Sequence, residues 1–209
     1  MNIIMLGLPG AGKGTQAKLI AQIKSIPHVS TGDLFRAAYQ EQNEMGILAK
    51  RYMDKGELVP DEVTIGIALE RLSRPDCQDG FVLDGFPRNL SQADALSNAG
   101  KKIDHVIYIH ADETLLVERL TGRRVCSGCG GPYHILYHPP KENGRCDACG
   151  QPLIQRDDDK EETVVERLKV NKELTDQLAA YYRQRGALRI IDGSQDIDRV
   201  SAEIVELLK

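Results

Sequence analysis

The chain is short of aromatic side chains, with no tryptophan and only three phenylalanines in 209 residues. It also lacks any excess of positive charge: 27 Lys and Arg face 31 Asp and Glu, for a net charge of -4. That balance argues against general binding to nucleic acid or acidic membranes, which needs a basic surface. No run approaches the roughly 20 apolar residues of a membrane span. The opening Met1-Asn2-Ile3-Ile4-Met5-Leu6 has no basic leader and no small-residue cleavage site, so it reads as no signal peptide. The expectation is a cytoplasmic protein in a reducing compartment, where disulfides are disfavoured. The five cysteines then serve as thiols or metal ligands.

What is present is ordinary for a soluble globular chain: 41% hydrophobic and 28% charged residues. The length suits one sizeable α/β core with small insertions, and is too short for two full domains. Short apolar runs alternate with amphipathic helical patterns, the signature of a parallel sheet wrapped by helices. Strands are expected at Asn2–Leu6, Pro27–Val29, Gly80–Leu83, His105–Ile109 and Leu188–Ile191. Helices are expected at Lys13–Lys24, Thr31–Tyr39, Asp61–Leu72, Asn89–Asn98, Glu113–Leu120, Glu161–Arg185 and Val200–Leu208. Asp61 and Asp112 are expected as N-caps and Gly100 as a C-cap. Two segments interrupt the alternation: 30–59, which inserts helices, and 122–159, which holds four cysteines among many Gly and Pro. The core is therefore assigned to 1–29, 60–121 and 160–209.

Gly7-Leu8-Pro9-Gly10-Ala11-Gly12-Lys13-Gly14-Thr15 follows the first strand and opens the first helix. Glycines let the backbone aim successive N–H groups inward as a nest for anionic oxygens. The helix N-terminus adds its positive dipole end, and Lys13 brings an ammonium to the outer phosphates. Gly14 stands where Ser or Thr follows the lysine in most such loops, which weakens direct metal ligation there. Asp84 ends the apolar run Phe81-Val82-Leu83 at a strand C-terminus, where ligands of doubly wound sheets bind and an acid holds Mg²⁺.

Residues 7–16, Thr31-Gly32-Asp33-Leu34-Phe35-Arg36 and Asp84-Gly85-Phe86-Pro87-Arg88 together closely resemble the adenylate kinases. Arg119, Gly122-Arg123-Arg124, Arg156-Asp157-Asp158 and Glu161-Glu162-Thr163 continue the match in family order. The resemblance implies transfer of the terminal phosphoryl group of Mg-ATP to AMP, giving two ADP, by a monomer that binds no nucleic acid or membrane. It implies that Gly10, Ala11, Gly12, Lys13, Gly14 and Thr15 hold the ATP phosphates, with Arg119, Arg123, Pro132, Tyr133 and Gln195 as further ATP contacts. AMP would meet Thr31, Arg36, Glu57, Leu58, Val59, Gly85, Phe86, Pro87, Arg88 and Gln92, and Arg156 and Arg167 would clamp phosphates across both substrates. Lys13, Asp84, Arg88, Arg123, Arg156 and Arg167 would carry catalysis. Arginines suit the task without the family: guanidinium forks neutralise phosphate oxygens bidentately, and a loose transition state asks for positioning and electrostatics, with no covalent phosphoenzyme. Arg124 reads as structural, and Asp33 as either a helix cap or an aid to the acceptor. Rival readings are a kinase for UMP or CMP, which Thr31 and Gln92 disfavour, and a P-loop protein whose zinc ribbon binds nucleic acid.

Cys126-Ser127-Gly128-Cys129 and Cys146-Asp147-Ala148-Cys149 are two C-x-x-C knuckles separated by sixteen residues. That lies within zinc-site spacing, and four thiolates leave no open position, so the Zn²⁺ would be structural. Iron is an occasional substitute in such a site. The fold expected is thus a five-stranded parallel P-loop core wrapped by helices, with a helical AMP-binding insertion and a small zinc-bearing lid. His134 and His138 read as hairpin residues and Cys77 as a thiol without a role.

Overall fold

A computed structural model describes residues 1–209. The main strands are β1 (Asn2–Leu6), β2 (His28–Ser30), β3 (Phe81–Asp84) and β4 (His105–His110). Three short strands follow, β5 (Arg123–Cys126), β6 (Pro132–His134) and β7 (Leu153–Ile154), and then β8 (Leu188–Asp192). β2, β3, β1, β4 and β8 lie in that order in one parallel sheet. The centre of this sheet is β1, and its Ile3, Ile4, Met5 and Leu6 are all buried. A strand covered on both faces needs such an unbroken apolar run. Side chains alternate across it: Ile3 and Met5 join Val82, Ile107 and Ile109 on one face, while Ile4 and Leu6 join Leu83, Phe86 and Val106 on the other.

The helices are α1 (Lys13–Lys24), α2 (Thr31–Gln40), α3 (Glu44–Met53), α4 (Asp61–Leu72), α5 (Leu90–Asn98), α6 (Glu113–Thr121), α7 (Glu161–Gln184) and α8 (Ile197–Leu207). None is long and apolar enough to cross a membrane. α2 and α3 pack on each other within the first insertion, and β6-β5-β7 form a separate antiparallel sheet in the second. Val164, Leu168, Leu178 and Tyr182 of α7 are buried at helical spacing, which anchors this long charged helix.

Some helix ends differ from expectation. Pro60, not Asp61, holds the cap position of α4, because its fixed φ suits an entry residue and Asp61 is already helical. Asp112 does occupy the cap of α6, but its side chain makes no capping hydrogen bond. Asn89 caps α5 instead of starting it, accepting from the Gln92 N–H at 2.9 Å. α8 begins at Ile197, three residues earlier than Val200, because Asp196 caps the Arg199 N–H. Gly100 (φ 71) closes α5 with paired bonds, Gly100 N–H to Ser97 and Lys101 N–H to Leu96. That is the left-handed glycine terminus the sequence suggested.

Candidate active site

The C-terminal ends of β1, β2 and β3, with the loop after β8, open into one cavity of about 960 Å³, bounded by both insertions. Its floor is the loop between β1 and α1. Gly12, at φ 97, turns the chain into α1 without any side-chain cap, and the first helical turn carries no acid. The N–H groups of that turn therefore remain for an anion. Gly7 is required by contact: a Cβ there would lie 2.5 Å from the Ile109 carbonyl oxygen. Lys13 folds over the loop, donating from Nζ to the Gly7 and Leu8 carbonyls at 2.7 and 2.9 Å. Burial lowers its pKa to about 8; Asp84 opposes this, while Arg88, Arg167 and Arg123 add to it.

Asp84 stands beside this lysine. Burial pushes its carboxyl up, but the neighbouring His28 imidazole and the positive Lys13 and Arg88 outweigh burial and hold it below its usual value. His28 Nε2 lies 3.5 Å from Asp84 Oδ2. A Cβ on Gly14 would sit 3.2 Å from the same oxygen. The glycine at that departure from the usual loop pattern thus gives the carboxylate room. A carboxylate at a strand end beside an anion-binding loop has the chemistry to hold a hard divalent cation.

Guanidinium groups converge from several segments. Arg88 leaves the β3–α5 loop and donates from Nε to Gly85 O at 2.9 Å; burial lowers its pKa to about 10. Arg123, at the start of β5, grips Asp159 with Nε at 2.7 Å and with Nη2. Arg167 of α7 reaches the same carboxylate at 3.1 Å and Asp158 at 3.3 Å. Asp159 is fully buried. Burying a carboxylate is unfavourable unless opposite charge and hydrogen bonds compensate it, and two guanidinium groups do so here. Arg156 is depressed to about 10 by burial and by the positive Arg36 and Arg123. Its Nε is buried without a hydrogen-bond partner in the chain. A buried cationic donor left open beside other cations suits an arriving anion.

On the side of the α2–α3 insertion, Thr31 donates to Gly85 O at 2.9 Å, and Arg36 binds Asp33 at 2.5 Å. Ser30 is the cap of α2, so Asp33 is no cap; its carboxylate faces Arg36 and, at 4.0 Å, Arg156. Glu57, Leu58, Val59, Gly85, Pro87 and Gln92 line the same side. Phe86 does not: its ring is fully buried in the core. An apolar side chain next to β3 gains more from that core than from a charged cavity. At the opposite end lie Arg119, Pro132, Tyr133 and Gln195, with Arg119 Nη1 donating to Gly193 O at 2.7 Å. Arg124 turns away, its Nη1 donating to the Thr121 and Arg123 carbonyls.

The sequence reading missed His28, Asp159 and the partners of Gln92. The signal for Asp159 was its place in the Asp157-Asp158-Asp159 run, which the resemblance used only as far as Asp158.

All five cysteines are free thiols. Those of 126, 129, 146 and 149 gather with Sγ atoms within 4.8 Å of one another. Cys126 and Cys149 are 3.3 Å apart, Cys129 and Cys146 3.6 Å. Sulfurs around tetrahedral zinc, at about 2.3 Å each, would be about 3.8 Å apart, so the donor set fits a Cys₄ metal. The amides of Gly128 and Cys129 point at Cys126 Sγ, both at 3.4 Å, as thiolates require. Tyr133 donates its hydroxyl to Cys146 at 3.4 Å, joining the cluster to the cavity wall. His134 and His138 stay outside the cluster: His134 Nδ1 accepts from the Leu136 and Tyr137 amides. Cys77 is buried below Arg71, away from the cavity.

Residues 5–187 match a family model described as Adenylate kinase. Among curated proteins, an adenylate kinase of Geobacillus sp. (strain WCH70) is 56% identical over 212 residues, covering 100% of this chain and 98% of the relative. Adenylate kinases of Bacillus subtilis (strain 168) and Archaeoglobus fulgidus are 54% and 55% identical, again over the whole chain and 98% of each relative.

Proposed function

The chain belongs to the adenylate kinase family, and from that premise we propose how its residues carry the family reaction, reversible phosphoryl transfer from Mg-ATP to AMP giving two ADP. The observation that supports the assignment best is a single cavity in which an uncapped helix N-terminus faces guanidinium groups from several separate segments. A triphosphate and a monophosphate held end to end concentrate about six negative charges, and converging guanidinium groups neutralise them. The amides of Gly10 to Thr15 and the Lys13 ammonium hold the donor phosphates. Arg36 and Arg88 hold the acceptor phosphate, with Thr31 and Gly85 beside it. Arg123, Arg156 and Arg167 lie between, where charge spreads during transfer. The P–O bond to the departing ADP breaks as an AMP phosphate oxygen bonds to phosphorus, so no protein nucleophile is needed. Asp84 would hold the magnesium ion that accompanies ATP, and that ion would supply positive charge to offset the phosphates.

Residues 1–29, 60–121 and 160–209 act as the rigid core, while 30–59 closes over AMP and 122–159 closes over ATP. Closure excludes water from the phosphoryl group in transit. The metal of the lid is zinc, which ties together a segment too small for a core of its own. Family membership supports a monomer acting in the cytoplasm, and the net charge of -4 supports action without nucleic acid or membrane. Purified protein with magnesium, ATP and AMP must yield ADP, and kcat/KM must favour AMP over CMP, UMP and GMP; no ADP would sink the assignment.

Two further outcomes follow. Chelating the metal is expected to loosen the β6-β5-β7 sheet and lower the melting temperature while the parallel sheet survives, read by circular dichroism and calorimetry. Loss of the whole fold would contradict a site confined to the lid. ATP affinity is expected to weaken as pH rises through about 8, because only protonated Lys13 attracts phosphate. Phosphate raises the lysine pKa in the complex, so binding takes up a proton above that pH and none well below it. Titration calorimetry in two buffers of different ionisation enthalpy measures this uptake; an affinity unchanged between pH 7 and 9.5 would refute it.

A further inference from the structure

Gln92 lines the acceptor side of the cavity, yet its side chain is 1% exposed. Its amide is held at both ends. Oε1 accepts from the Arg88 backbone N–H at 2.8 Å, and Nε2 donates to Asp61 Oδ1 at 2.7 Å. Asp61 is itself fixed by Asn89, whose Nδ2 donates to Oδ1 and Oδ2 at 2.9 and 3.0 Å. The backbone N–H can only donate and the ionised carboxylate only accept, so both neighbours select the same orientation of the amide. Turning it over would set carboxylate against carbonyl oxygen and N–H against N–H.

We propose that Asp61 is a positioning residue that fixes the Gln92 amide to read a 6-amino purine and reject a 6-oxo purine. The inference rests on the reading that Gln92 meets the base of AMP. With one lone pair and one hydrogen already used, the amide keeps one acceptor site on Oε1 and one donor on Nε2. These match the N6–H and N1 of adenine. A 6-oxo purine presents the reverse, O6 as acceptor and N1–H as donor, and matches only the flipped amide. In the held orientation it would face two repulsive contacts inside a desolvated pocket, the situation in which polar mismatch discriminates most strongly. Asp61 does not line the cavity, and its only contact with a cavity-lining side chain is through Gln92, while its bonds to Asn89 hold it in place.

The test is the ratio of kcat/KM for AMP to that for IMP at saturating Mg-ATP, taken on one preparation so that the folded fraction cancels. Asp61→Ala removes the acceptor and is expected to lower the ratio about tenfold, the amide then being free to turn. Asp61→Asn keeps an acceptor in reach and is expected to restore much of the selectivity. Asp61→Ser, too short to reach Gln92 but at home in a first helical turn, provides the same reading if alanine does not fold. A merely structural role would depress both substrates together. Gln92→Ala separates the two layers. If it leaves the ratio unchanged, the base does not meet Gln92, and the underlying reading falls with the proposal. If it collapses the ratio while Asp61→Ala and Asp61→Ser leave it within twofold of wild type, the role of Asp61 alone is overturned.

Discussion

Lys13→Ala is expected to lower kcat/KM by about 10³-fold, the scale seen when a charge facing a phosphoryl or oxyanion transition state is removed. The fold should hardly notice. In the folded chain the ammonium bonds only two carbonyl oxygens of its own loop, and burial has already weakened its hold on the proton. The structure therefore gains little from the charge, and its loss leaves two carbonyls that cavity water reaches. Function loses much more, because nothing else places a mobile cation over that loop. Lys13→Arg should not rescue the rate, since a rigid planar fork does not fit where a compact ammonium folds back. Steady-state kinetics with calorimetry on the same samples checks both halves. Activity within tenfold of wild type would refute the role.

Asp159→Ala is expected to damage stability and rate together. The carboxylate is fully buried and shared by Arg123 and Arg167, so removing it leaves two guanidinium groups facing each other. Breaking a buried ion pair from one side typically costs about 3–5 kcal/mol. Both arginines keep a side toward the cavity, so about 3 kcal/mol is the better expectation, or roughly 6–12 °C in melting temperature for a chain this size. The rate should fall by about 10²-fold, because misplacing a phosphate clamp by an ångström has that effect. Asp159→Asn, which keeps shape and one acceptor, should fall between. A variant as stable as wild type would show that the arginines need no shared partner.

The comparison of sequence with structure separates local from distant causes. The β1–α1 loop was legible because its glycines, its lysine and the helix it opens are neighbours in the chain, and each has a reason that needs no tertiary contact. α1 and α4 were bounded correctly for the same reason, their apolar period ending at turn residues. Asp61 was misread because an acid after a proline has a good local explanation, helix capping, while its real partners are Asn89 and Gln92 about thirty residues on. Phe86 was carried to the cavity by its neighbours in Asp84-Gly85-Phe86-Pro87-Arg88, although its own apolar ring belongs to the core. Asp159 carries no local mark of burial, since nothing in three consecutive acids tells one from the next until Arg123 and Arg167 are brought to it from distant segments.

β5 and β7 run side by side, with Val125 opposite Ile154 and Cys126 opposite Leu153. The excursion that carries the cysteines thus leaves and rejoins the body of the enzyme at one doorway, with Arg123 on one jamb and Asp159 just past the other. Such an arrangement is an exchangeable cassette. A graft from another chain, metal-bound or not, needs only to match two neighbouring strand ends for the arginine pair beneath to keep its geometry. Lineages could trade a thiolate-clamped cap for a purely hydrogen-bonded one without disturbing the chemistry below.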